Sequence, residues 1–232
     1  FRFPKALLDR QLLEPYCLDS CVELEAVGEY WILSIALGDD ESDLEWIEGS
    51  DWLSALAPLR NDILLGDNRP LYLAWLANVE YADLDEDELE PPAPAGLGEL
   101  TTPLNRLARF LEIDKHLLQA AAAGSAERQT TPDHELREAI ARLPRSECDD
   151  LLWRLAQGES NLGAKLLRHL HELISAPAAT QRPRRSVGEL LAARDRLKQA
   201  ERRKQQKAAE AKRIQELEAL AQREAAAWQE VD

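Results

Sequence analysis

The 232-residue sequence contains no methionine, not even at its first position, and opens on Phe1-Arg2-Phe3-Pro4. The expectation is a fragment of a longer protein, whose natural N-terminal signals cannot be read here. Cysteine is scarce and odd in number, at three. That does not suit a secreted disulfide framework, and a cytoplasmic location is the default expectation. No apolar run reaches the ~20 residues that a membrane-spanning helix needs, so no membrane partner is expected. Recognisable catalytic signatures are missing too. Gly96-Leu97-Gly98 is followed by no Gly-Lys-Ser/Thr, and neither Gly-x-Ser-x-Gly nor His-Glu-x-x-His occurs. Carboxylates abound, but no pair can be assigned to a common cleft for acid–base work. The reading leans away from an enzyme and expects no cofactor.

Metal-ligand patterns fail on spacing. Asp83-x-Asp85-x-Asp87 begins like a calcium loop, but Glu88 stands where a glycine must turn and Pro94 where a bidentate glutamate is needed. A loop starting at Asp39 fails in the same way, with Leu44 at its sixth position. Cys17 and Cys21 offer two zinc ligands with no second pair. His169 and His171, two apart, point to different sides of a helix, and His116 and His134 read as exposed polar residues near helix starts.

What the chain has is charge, unevenly placed. The net charge is −15. Residues 1–181 carry 15 Lys/Arg against 34 Asp/Glu, a net −19; residues 182–213 carry 12 against 4, a net +8; residues 214–232 carry 1 against 5, a net −4. An acidic body thus continues into a basic stalk with an acidic end. Overall acidity opposes a generic nucleic-acid or anionic-membrane binder.

The expected fold is mainly α, a helical body with a small N-terminal β-hairpin and a long C-terminal helix. Four regions are expected: a β-hairpin region at 1–48, belonging to a domain truncated at its N-terminus; a helical body at 49–176; a linker at 177–186; and a long charged helix at 187–232. In the first, Cys21 to Glu25 alternates, Gly28 turns, and Trp31, Leu33, Ile35 and Leu37 share one strand face. In the second, Pro58 is expected to break one helix in two. Asn68 caps the next helix, which carries Leu71, Tyr72, Trp75, Leu76 and Val79. The prolines of Glu90-Pro91-Pro92-Ala93-Pro94 then enforce an extended arm. Beyond it lies a helical hairpin, capped by Thr102 and Asp114, with Leu104, Leu107, Ala108 and Leu111 on one helix and Leu117, Leu118, Ala121 and Ala122 on the other. Three further helices are expected to turn Leu136, Ile140 and Leu143, then Cys148, Leu151, Leu152 and Leu155, then Leu162, Leu166, Leu167, Leu170 and Ile174 inward, with Gly158 ending the second.

Ser186 and Glu189 have capping-box spacing, and nothing breaks the chain after Gly188. A continuous helix from there would reach ~69 Å. Its heptad is uneven, sticky at both ends with Lys204 and Lys207 falling in the middle of the seam.

The pattern Glu90-Pro91-Pro92-x-Pro94-x-Gly96-Leu97-Gly98-x-Leu100, continued by Leu107-Ala108-x-Phe110-Leu111-x-Ile113-Asp114-x-x-Leu117-Leu118-x-Ala120-Ala121-Ala122, resembles a family of uncharacterised bacterial proteins. Leu64-x-Gly66-Asp67-x-Arg69-x-Leu71-Tyr72-Leu73-x-Trp75-Leu76 and Glu224-x-x-x-Trp228 resemble it as well. The resemblance spans most of residues 50–232, implies a longer natural protein, and carries over no catalytic residue; Cys17 and Cys21 are not part of it.

The functional expectation is a non-enzymatic protein–protein interaction or assembly subunit acting through the C-terminal helix, as a homo-oligomer or with another protein. Its expected contacts are Leu190, Leu197, Ile214, Leu217, Trp228 and Val231. The alternative is a nucleic-acid-associated protein, with Arg184, Arg185, Arg202, Arg203, Lys204 and Lys207 as candidate phosphate contacts. No aromatic is interleaved with them for base stacking. A weaker version of that reading treats 107–122 as a helix-turn-helix offering Lys115, His116 and Gln119 to a major groove. A third reading is an accessory part of a larger enzyme whose site lies outside this chain.

Overall fold

The computed structural model describes residues 1–8, 10–18, 22–36, 49–79, 84–128, 131–174 and 183–229, with side chains throughout these except at 49–53, 172 and 220–229. The fold is mainly α, with a small antiparallel sheet at the N-terminus and a long C-terminal helix.

The hairpin has a third strand. β1 (Arg2–Pro4) lies on one edge of β3 (Tyr30–Ile35), and β2 (Val22–Val27) on the other, in register from Val27↔Tyr30 to Val22↔Ile35. A two-stranded ribbon is marginal in water, and here the chain's own first residues supply the missing strand. Phe3, Val22 and Leu33 are buried against the helices, with Trp31 and Ile35 half-buried beside them; Leu37 lies outside the described residues. Between β1 and β2 runs the short α1 (Arg10–Leu13).

α2 (Gly49–Leu64) is one helix, not the two expected, and Pro58 sits inside it. Pro58 is exposed, while Leu59, Ile63 and Leu64 beyond it are buried and hold the second half in line. The charged stretch before this helix, 39–48, lies outside the described residues. α3 (Arg69–Asn78) is buried along its whole length. Asn68 stands at its N-cap position as expected, but its side chain makes no capping hydrogen bond, and Asp67 before it supplies one. The Asp67 carboxylate accepts the Arg69 N–H at 3.1 Å and grips the buried Arg69 guanidinium at 2.6 Å, and Arg128 reaches it at 3.1 Å. Arg69 Nη1 also donates to the Gly96 and Glu99 carbonyls, both at 3.3 Å, which ties this helix to the turn after the proline arm. Gly96 has φ +84, and a Cβ there would meet Arg128 Cβ at 2.8 Å, so only glycine suits the turn.

The hairpin of α4 (Thr102–Phe110) and α5 (Lys115–Gly124) follows expectation, except that Thr101 takes the N-cap position of α4. Asp114 caps α5, accepting the His116 and Leu117 N–H groups at 2.8 and 3.0 Å. Leu104, Leu107, Ala108, Leu111, Leu117 and Ala121 are buried.

α6 (Asp133–Arg142) and α7 (Arg145–Ala156) depart from expectation, while α8 (Leu162–Ile174) buries Leu162 and Leu170 as expected. Ile140, Leu152 and Leu155, all expected inward, are exposed, and Trp153 beside them is 64% exposed. The cause is packing. These helices form a side layer resting on each other, α7 has no buried residue, and the main core draws only Ala164 toward itself from all three. Gly158, at φ +73, ends α7 as expected.

The core joins the sheet, α2 to α5 and the start of α9 (Val187–Gln229), which contributes Val187 and Leu190.

Candidate interaction surface

The chain entering α9 is held before the helix begins. Residues 185–188 lie antiparallel to 86–90. The Glu90 N–H donates to the Arg185 carbonyl at 3.0 Å, Val187 N–H to Glu88 O at 2.8 Å, and Gly188 N–H to Glu86 O at 3.0 Å. A Cβ at Gly188 would stand 3.2 Å from the Glu86 carbonyl oxygen, so this close approach suits glycine. Arg185 and Ser186, read as the end of a linker, are therefore docked, while 183 and 184 are exposed; 177–182 lie outside the described residues. The capping box forms, with Ser186 N–H to Glu189 Oε2 at 3.1 Å and Glu189 N–H to Ser186 Oγ at 3.2 Å.

Side chains lock the same junction. Glu90 is 3% exposed. Its carboxylate receives Arg185 Nε and Nη2, each at 3.0 Å, and the Tyr72 hydroxyl at 3.2 Å, while Arg185 Nη1 donates to the Ala120 carbonyl at 2.7 Å. A two-pronged guanidinium–carboxylate pair of this kind fixes orientation as well as distance. Burial, with the Glu90 carboxylate beside it, pushes the Tyr72 hydroxyl far above its ordinary value.

The first turns of α9 then lie along α5. Lys198 meets Asp114 at 3.1 Å, Lys115 meets Glu201 at 2.7 Å, and His116 Nε2 contacts the same Glu201 carboxylate. Lys115, then His116, hold the Glu201 carboxyl below its ordinary range. Partial burial acts to raise the Asp114 carboxyl, but the Leu117 N–H, Lys198 and the His116 N–H outweigh it and hold it low.

Docking ends at Glu201. From 202 to 219 every side chain is exposed, Ile214 by 50% and Leu217 by 57%. The helix persists because this stretch is built of Arg, Lys, Gln, Ala and Glu, all strong helix formers, and because the docked turns have already nucleated it.

The six expected contact residues therefore separate. Leu190 is 0% exposed inside the core and Leu197 is packed against it, so neither is offered to a partner: the face of α9 that carries them covers α5. Ile214 and Leu217 remain available. The Trp228 side chain and Val231 lie outside the described residues. Of the six candidate phosphate contacts, Arg185 is committed to Glu90, whereas Arg184, Arg202, Arg203, Lys204 and Lys207 are exposed. Of the three residues of the helix-turn-helix reading, His116, expected to be exposed, is buried against Glu201; Lys115 reaches the same carboxylate but stays exposed, as does Gln119.

Among the described residues no group of three or more His, Cys, Asp or Glu is placed to hold a metal ion, and no helix is long and apolar enough to cross a membrane. Burial and then Glu14 push the Cys17 thiol up, away from the thiolate that nucleophilic chemistry uses. The recess beside it is lined by Arg10, Glu14, Leu18 and Val22.

Comparison of the chain with protein-family models, with curated proteins and with solved structures finds no match in any of the three, so its functional reading rests on its own residues.

Proposed function

We propose that the protein is a non-enzymatic interaction or assembly subunit, and that the outer half of α9 meets its partner. The supporting observation is the change at Glu201: the helix is docked on α5 before it and exposed at every position from 202 to 219. Ile214 and Leu217, three apart, share a face and leave apolar surface in water where the body takes none of it up. Pairing with another helix in coiled-coil fashion would cover that face. A photo-reactive residue placed at 214 or 217, irradiated in the cell that makes the protein, is expected to yield discrete covalent adducts. One at 197, against the protein's own core, is expected to yield none. No adduct from either outer position, to self or to another protein, refutes the reading.

A second reading is favoured by the exposure of Arg202, Arg203, Lys204 and Lys207: sequence-independent contact with nucleic-acid phosphates. Titration of duplex and single strands with the full chain tests it. Binding should fall steeply with salt, and absence of binding at low salt ends it.

A further inference from the structure

Resting on the assembly reading, we infer that the partner is a second copy of this chain, joined antiparallel through the outer half of α9. The helix is divided by charge just where its exposed apolar pair sits. Residues 202–213 carry six cations and one glutamate, and residues 214–229 carry three acids and one arginine. A parallel pair of such helices in register sets like charge against like along its length. An antiparallel pair sets each basic stretch on the other copy's acidic stretch, and opposite charges across a seam decide orientation.

The register follows from the apolar pair. A two-fold axis between residues 215 and 216 places Ile214 opposite Leu217 of the second copy, and by symmetry places the same contact on the other side. The same register sets position 207, a lysine, opposite position 224, a glutamate, and position 203, an arginine, opposite position 228, a tryptophan. Positions 207, 210, 214, 217, 221 and 224 are separated alternately by three and four residues, which is the seam of a coiled coil. The helix backbone continues to Gln229, so about 28 residues overlap over ~42 Å. The body does not obstruct this overlap, because contact with α5 stops at Glu201. With one strongly apolar layer at its centre, the pairing draws its orientation from exposed charges, and salt screens them.

Sedimentation of the full chain over a wide concentration range tests the inference. The native chain is expected to dimerise reversibly, about tenfold more weakly at high than at low salt. Lys207→Glu sets acid on acid at both symmetry-related contacts of the antiparallel seam and should weaken the dimer by about tenfold or more. Adding Glu224→Lys restores opposite charges at both contacts and should return the dimer to within about threefold of native. A parallel pair gains nothing from that second exchange. A chain that stays monomeric at every concentration overturns the inference. So does a dimer that ignores the first exchange or is not rescued by the second. Covalent adducts from position 217 with a different protein, in a chain that stays monomeric, would leave the assembly reading standing while this one fell.

Discussion

Replacing Arg185 with methionine strips a buried carboxylate of its cation. Glu90, 3% exposed, would keep only the Tyr72 hydroxyl as a side-chain donor. Breaking a buried pair from one side costs about 3–5 kcal/mol. The Arg185 side chain is itself 24% exposed, so water reaches the gap and the lower end applies, about 3 kcal/mol at pH 7. A carboxylate left without its cation inside protein can instead take up a proton, and neutralising an ordinary glutamate costs about 4 kcal/mol at pH 7 but only about 1 at pH 5. The variant's folded state then binds a proton that the unfolded state does not, so its deficit against the native chain grows with rising pH and shrinks on acidification. Urea unfolding of the native chain, Arg185→Met, Glu90→Gln and the double variant, at pH 7 and pH 5, reads all of this. In the double variant no charge is left buried, and the amide introduced at position 90 still offers Tyr72 an acceptor, so it should recover to within about 1 kcal/mol of native. A loss below about 0.5 kcal/mol, a deficit equal at both pH values, or a double variant no better than Arg185→Met would refute the reasoning.

Two further outcomes follow from the division of α9. Leu190→Ala should cost about 3 kcal/mol, as a core cavity, and Leu217→Ala under about 0.5 at concentrations where the chain is monomeric; equal costs in urea unfolding would mean that the two leucines share one environment. The carboxyls of Glu201 and Asp114 are held low in the folded state. Their contribution is therefore complete above the ordinary carboxylate range, about 4, and is lost as pH falls through their lowered values. Hydrogen-exchange protection of residues 187–201, corrected for intrinsic rates, should fall with acidification before that of α3; protection that falls in step with α3 would contradict this.

Signals confined to a few residues were legible without coordinates. The capping box at Ser186 and Glu189, the Asp114 cap, the proline arm, the Gly158 stop and the strand alternation all appear as read, because each works through a backbone group within four residues. The misreadings involve longer reach. Leu152 and Leu155 have the spacing of a buried stripe, and periodicity cannot say whether a neighbour arrives to cover it. Leu190 and Leu217 look alike along the chain, yet one lies in the core and the other in water. Arg185 read as one more cation of a basic run, and its partner Glu90 stands 95 residues earlier. Nothing local distinguishes it from Arg184.

By itself, then, the sequence determined the class of fold, the order of its main elements apart from β1, α1 and the unity of α2, and the long unbroken helix, since these follow from backbone chemistry and side-chain period. Tertiary structure alone decided how far that helix is docked. That boundary depends on where α5 ends beside it and on Lys115, His116 and Glu201 meeting there, groups some 85 residues apart that only the packed chain brings together.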